Sequence, residues 1–242
     1  MIALTFDTDH LRPDELAHFL AEYPLPGKGT FFLWQPFPDV HCGNHETGIH
    51  PFLDDQTSWN EALDKAFDSF GCCDAVVRPH SCVYSHMLGI ELGKRGVRAI
   101  SQSTPLYQTN LQAFRHPWGI WELPIYYMDS MDVTYSNNWK GISHSSLNPD
   151  IFQRALDDPN HLYVFDFHPI HIALNTPSFE AYQSVKQKLM TRNGSAFDMA
   201  LPGYGIREYY LQFMDAMQHN GIKSLSCSEV VDTIENQERG AK

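Results

Sequence analysis

The sequence predicts an α/β fold, a reading that rests on two observations. Short apolar stretches alternate with stretches whose apolar residues recur at helical spacing, the pattern of βα units around a parallel sheet or barrel. The 242 residues are also enough for one domain to bury a sizeable core, and no internal repeat or low-complexity segment divides them. A single domain over residues 1–242 is therefore expected.

ALTFDTDH (3–10) opens as a strand of mostly apolar residues and delivers two aspartates, Asp7 and Asp9. Side chains at i and i+2 of a strand share a face, so the two carboxylates would repel unless a cation or a proton sits with them. A helix follows over 13–23, with acidic residues in its opening turn, and then a strand over 30–34. Residues 57–71 read as a helix capped by Thr57 and stopped by Gly71, 74–78 as a strand, 84–96 as a helix ending on glycine, and 97–101 as a strand. Residues 102–147 break the rhythm, with Trp118, Trp121, Trp139, Tyr126 and Tyr127 among polar residues, and suit irregular loops over an active face. The rhythm returns in 148–156, where Asn148 caps and Pro149 opens a helix, and in 161–169, a strongly apolar strand. Helices near 178–192 and 206–219 precede the stretch IKSLS (222–226), and Ser226 with Glu229 forms a capping box for the last helix.

Composition excludes several partners. Seventeen Lys and Arg stand against 29 Asp and Glu, a formal net charge of -12, with no basic stripe for nucleic acid or for an anionic membrane surface. No apolar run approaches the length of a membrane span, and Met1 leads straight into a strand rather than a secretory signal, so a cytoplasmic location is expected. Five cysteines without paired CxxC spacing fit reduced thiols.

Four constellations carry chemistry. Asp7 and Asp9 sit at a strand's carboxyl end, where α/β sites are built. NHETGIHPF (44–52) crowds His45, Glu46 and His50 around Gly48; Asp9, His50 and one more nitrogen would make a three-ligand metal site with an open position for water. Taken alone, His45 reads as structural. VVRPHS (76–81) delivers Arg78 and His80 on one face; arginine cannot act as a base, so its use there is to hold a carboxylate by charge-assisted hydrogen bonds. VFDFHPIHIALN (164–175) ends an apolar strand in His168, placed for proton transfer, with His171 following.

In order and spacing, TFDTD, NHETGIH, RPH and FHP resemble the polysaccharide deacetylases, the NodB-homology group called carbohydrate esterase family 4. WELPIYYMD (121–129), FHPIHIALNT (167–176) and GYGIRE (203–208) resemble its divergent WbmS-type branch, which is linked to O-antigen biosynthesis. The resemblance implies a distorted (β/α) barrel of about seven parallel strands, a divalent metal, most often zinc, and hydrolysis of the N-acetyl group of an acetamido sugar that is nucleotide-linked, lipid-linked or polymeric. Carried over residue by residue, Asp7 matches the base, Asp9 and His50 the metal ligands, Arg78 the arginine that orients the base, and His168 the acid. The resemblance places a second metal histidine four residues after His50, where this chain has Asp54. His80 can supply that nitrogen, with Asp54, His45 and His116 as alternatives. Asp129 or Asp132 would hold His168, while His45, Glu46, Trp121 and His171 are candidates for supporting or substrate contacts.

Two rival readings have their own sequence features. The opening DxD also resembles haloacid dehalogenase-like phosphatases, but the later strand ends in His168 rather than in paired carboxylates. The missing second histidine also suits a barrel that binds sugar without catalysis.

Overall fold

The computed structural model describes residues 1–53, 58–70, 76–135 and 144–240. Ile2–Asp7 forms strand β1, and all six residues are buried, as in a parallel sheet covered on both faces. On one side β1 pairs with β2 (Gly29–Leu33), which pairs with β3 (Glu46–Ile49), then β4 (Val76–Val77), β5 (Ala99–Ile100) and β7 (Trp121–Glu122), all parallel. On its other side β1 pairs with β9 (Tyr163–Phe167), and β9 with β8 (Ile125–Met128), again parallel. The two-residue β6 (Phe114–Arg115) runs antiparallel at the far edge beside β7. Among the described residues there are thus eight parallel strands, where about seven were expected.

Strand order reverses between β1 and β9, and in such sheets ligands bind beyond the carboxyl ends of the strands at the reversal. Register puts the candidate residues there. Phe6 pairs with Phe167, so Asp7 and His168 emerge side by side; Ile49 pairs with Val77, so His50 and Arg78 emerge together. Four strand spacings of about 4.8 Å separate β4 from β9, about 19 Å along a flat sheet. Arg78, at the end of β4, nevertheless touches Asp166 of β9, so the sheet is curled toward a barrel.

The alternation along β1 and β9 sorts the faces. Leu4, Phe6, Phe165 and Phe167 join an outer core with Phe19 of α1 (Pro13–Glu22) and with Tyr210 and Phe213 of α8 (Ile206–His219). Ala3 and Val164 point inward to Val230 and Val231 of α9 (Cys227–Gly240), and above them on the same face stand Thr5 and Asp7, Asp166 and His168. A third cluster packs Ile49 and Val77 under Leu63 of α2 (Trp59–Phe70) and Leu88 and Leu92 of α3 (His86–Lys94). Gly48 is required by closeness: a β-carbon there would lie 2.7 Å from Phe32 Cδ1 and from the Val76 carbonyl oxygen.

The 222–226 stretch pairs only through a bridge between Ala3 and Leu225. Several elements differ from the expectation. The 44–52 motif contains β3. Residues after His168 form a short helix, α6 (Pro169–Leu174), rather than a turn. The irregular 102–147 region supplies three short strands and α4 (Asp129–Tyr135). Helices α5 (Asp150–Asp157) and α7 (Phe179–Met190) lie where expected; Asn148 Oδ1 accepts from Asp150 N at 3.0 Å, and Ser226 and Glu229 cap α9 reciprocally. Thr57, Gly71, Trp139, Cys72, Cys73 and Asp54 fall outside the described residues.

Candidate active site

The carboxyl ends of β1, β3, β4, β8 and β9 surround a cleft of about 450 Å³ lined by Asp7, Asp9, His50, His80, His168 and His171, together with His10, Met131, Ile170 and Tyr182. A larger hollow, of about 630 Å³ between the 23–26 loop and α8, holds no comparable cluster of titratable groups.

Asp9, His50 and His80 converge from three elements. His50 Nε2 lies 3.2 Å from Asp9 Oδ2, His80 Nδ1 lies 3.4 Å from Asp9 Oδ1, and the two ring nitrogens are 3.4 Å apart. His80 is carried by a short 3-10 turn, His80–Cys82, whose backbone is held by a bond from His80 N to the Pro51 carbonyl at 2.9 Å. Its ring stacks on Phe52, centroids 4.0 Å apart. Burial would raise the Asp9 carboxyl, yet the neighbouring His50 and His80 imidazoles outweigh it and hold Asp9 well below the usual range.

This donor set fits a small divalent cation. A tetrahedral ion with bonds of about 2.0–2.1 Å has edges of about 3.3–3.4 Å between its ligands; His50 Nε2 stands 3.2 Å from Asp9 Oδ2 and 3.4 Å from His80 Nδ1, and one donor atom from each of the three residues lies within 4.8 Å of the others. Asp9 Oδ1 is buried without a hydrogen bond, and one carboxylate with two imidazole nitrogens is a donor set that zinc accepts. A second cluster, Asp7, Asp166 and His168, does not fit in the same way, because Arg78 already brings its cation between the two carboxylates.

Arg78 is fully buried and every arm of its fork is used. Nη1 donates to Asp7 Oδ1 at 2.8 Å and also to Asp166 Oδ1; Nη2 donates to Thr5 Oγ1 and Ser101 Oγ, both at 2.9 Å; Nε donates to the Ser101 carbonyl at 2.6 Å. The guanidinium lies 4.4 Å over the Phe32 ring. Burial works against its charge, but Asp166 and Asp7 more than compensate and drive its pKa upward.

His168 closes the other side. Its Nδ1–H donates to Asp129 Oδ1 at 2.7 Å and its backbone N–H to Asp129 Oδ2 at 2.8 Å. Its Nε2 then faces Asp7 Oδ2 at 4.0 Å and Asp9 Oδ2 at 3.9 Å. Burial disfavours the imidazolium, but the Asp129 carboxylate dominates, with Asp166 and Asp7 adding to it, and raises His168 to about 10. His171, beside it, is pushed down to about 4, chiefly by burial, and its Nδ1 lies 3.0 Å from Thr176 Oγ1.

Of the sequence-predicted residues, Asp7, Asp9, His50, Arg78, His80, Asp129, His168 and His171 are brought together; His45, Glu46 and Trp121 are not. His45 Nδ1 accepts from Gly29 N at the opposite end of the strands. Glu46 accepts from Thr30 Oγ1 at 2.6 Å and Ser228 N at 3.3 Å, which uses it to cap α9 from below. Trp121 packs in the cluster under α9 and donates to Glu235 at 2.9 Å. Asp132 takes hydroxyls from Tyr107 and Tyr127 instead of His168, and His116 pairs with Glu122, away from the cleft. Asp166 was missed, although it lies two residues before His168 on the same strand and so on the same face.

The sequence pattern of the family described as WbmS-like polysaccharide deacetylase matches residues 4–186, about three quarters of the chain. The chain belongs to that family. Its fold is similar to that of a protein from Bordetella bronchiseptica described as a polysaccharide deacetylase involved in O-antigen biosynthesis, at 23% identity and TM-score 0.69 over 89% of each chain. It is also similar to a polysaccharide deacetylase of Mycobacterium smegmatis, at 14% identity and TM-score 0.54 over 98% of this chain and 90% of that one. No curated protein matches the chain. The distorted barrel expected for such deacetylases is thus the fold observed, and no described helix is long and apolar enough to cross a membrane.

Proposed function

We propose that this protein is a metal-dependent hydrolase that removes the N-acetyl group of an acetamido sugar in bacterial surface polysaccharide (O-antigen) biosynthesis. The observation that carries the reading is the facing pair across the cleft, Asp7 held by Arg78 and His168 held by Asp129, beside a three-donor cation site. None of the residues lining the cleft is lysine or arginine, and Met131, Ile170 and Tyr182 give it apolar walls, which suits an uncharged sugar ring better than a phosphate. That favours a deacetylase over the phosphatase reading. We assign the metal as zinc, on the carboxylate and imidazole donors of Asp9, His50 and His80.

When bound there, the ion supplies polarisation of the acetamido carbonyl and activation of water. Asp7 Oδ2, turned toward the cleft while Oδ1 accepts from Arg78, takes the proton of the attacking water. His168 Nε2–H, 4.0 Å from Asp7 Oδ2, gives its proton to the departing nitrogen as the C–N bond breaks, leaving acetate and a free amine. The Asp129 carboxylate, accepting from Nδ1–H, favours the protonated form of His168, and the neutral His171 beside it is suited to bonding a sugar hydroxyl.

Acetate release from N-acetylglucosamine oligomers and from UDP-N-acetylglucosamine tests the reading. Asp7→Asn and His168→Ala are each expected to lower kcat by about 10²–10⁴-fold with bound metal retained. Wild-type rates in Asp7→Asn would refute it.

A further inference from the structure

Among the buried ionisable groups that the mechanism above leaves unused, Asp166 is in direct contact with its machinery. Asp166 is fully buried, does not line the cleft, and yet shares the nitrogen of Arg78 that holds Asp7. Resting on the deacetylase reading, the geometry points to Asp166 as a positioning residue: it fixes Arg78 from beneath, so that the guanidinium presents Asp7 to the cleft in one orientation.

Three contacts argue for it. Thr5 Oγ1 accepts from Arg78 Nη2 at 2.9 Å and shares its one proton between Asp166 Oδ1 at 3.0 Å and the Phe165 carbonyl at 3.1 Å, so Asp166, Thr5 and Arg78 form a closed ring of contacts. Ser101 fixes the opposite side of the fork through its carbonyl and hydroxyl oxygens, at 2.6 and 2.9 Å. With both flanks held, Nη1 has one remaining N–H, which is aimed at Asp7 Oδ1. Removing Asp166 would free the Nη1 end, and misplacing a catalytic group by about 1 Å can cost on the order of 100-fold.

Asp166 does this without competing for the whole charge of Arg78. Its Oδ2 is buried with no hydrogen-bond partner, a poor place for a full negative charge. The charged neighbours facing it are Arg78, Asp7, His168 and Asp129, and burial first, then Asp7 and Asp129, push its carboxyl up to about 7 against the pull of Arg78 and His168. Protonated at Oδ2, it still accepts from Arg78 and Thr5 at Oδ1. An amide can do the same, which makes asparagine the conservative variant.

The experiment compares Asp166→Ala and Asp166→Asn with Asp7→Asn, reading kcat and KM separately on N-acetylglucosamine oligomers. Expected are a kcat loss of about 100-fold in Asp166→Ala with KM within about twofold, and recovery of most of that loss in Asp166→Asn. A readout that needs no substrate is the arginine side-chain ¹⁵N–H spectrum. The Arg78 Nη signals, resolved and slow to exchange in wild type and Asp166→Asn, are expected to average or exchange quickly in Asp166→Ala. If Asp166→Ala keeps wild-type kcat, or keeps the protected Arg78 signals, the inference fails. If Asp7→Asn is also fully active, the deacetylase reading itself has failed, which tells the two failures apart. If the wild type hydrolyses none of the probes, the arginine signals alone decide the inference.

Discussion

Replacing Asp129 with asparagine should tilt the pH dependence of folding stability. Asp129 accepts from both the ring and the backbone N–H of His168 and raises the imidazole from its ordinary 6.5 to about 10. The folded pKa lies above the unfolded one, so this pair's stabilisation is fully present below about 6.5 and is lost as pH rises through about 10. Between those limits the folded state carries one more proton than the unfolded, and each pH unit removes about 1.4 kcal/mol. The whole interval of about 3.5 units sets a ceiling of about 5 kcal/mol. Urea unfolding of wild type and Asp129→Asn at pH 6, 7, 8 and 9 measures it. The protein should first be stripped of metal, because a cation beside Asp9, 3.9 Å from His168 Nε2, would compete with the imidazolium. Titrating groups that Asp129 does not perturb cancel in the difference; the share of the Asp166 shift that Asp129 causes tilts the curves the same way but falls away above about pH 7, so the tilt between pH 8 and 9 reports His168, and a lost hydrogen bond offsets the curves without tilting them. The wild-type lead is expected to be largest at pH 6 and to shrink steadily toward pH 9. Parallel stability curves would refute the pairing as the source of the raised pKa.

Two further outcomes test the scaffold. Glu15, fully buried, accepts from the backbone N–H groups of Arg12 and Ala196 and from Arg192, which also holds the His10 carbonyl next to Asp9 at 2.9 Å. Glu15→Gln breaks a buried ion pair and should cost about 3 kcal/mol, a fall in Tm of roughly 6–12 °C in a thermal melt, with an unchanged Tm counting against that role. Gly48→Ala should destabilise by about 1–3 kcal/mol in the same assay, because its β-carbon has to displace Phe32, the ring beneath Arg78.

Much of this site was legible in the sequence because strand periodicity is a local rule. Asp7 at the end of β1, Arg78 after β4 and His168 after β9 each close an apolar run, and the end of such a run is visible without knowing what packs beside it. What brings His80 to His50 is not local: a 3-10 turn with Ser81 at φ 55° and a backbone bond to Pro51 set its position. Glu46 had the right chemistry and the wrong end of its strand, since β3 is only four residues long and the end that faces the cleft depends on pairing with β2. Of the two-residue strands, β4 and β5 lie in apolar runs, 74–78 and 97–101, that read as strands, whereas β6 and β7 are short of the roughly four residues that make alternation readable and fell in the region read as loops. Asp166 was passed over because an aspartate inside an apolar strand declares itself only through its partner, and Arg78 lies 88 residues away.

The most direct test of the central claim is the metal content of the purified protein by plasma mass spectrometry, wild type beside His80→Ala. The account predicts about one zinc per chain in the wild type, as a three-ligand site holds, and its loss or marked weakening in His80→Ala. Wild type that takes up no metal after soaking with zinc or cobalt, or His80→Ala that keeps the full complement at the same affinity, would contradict it.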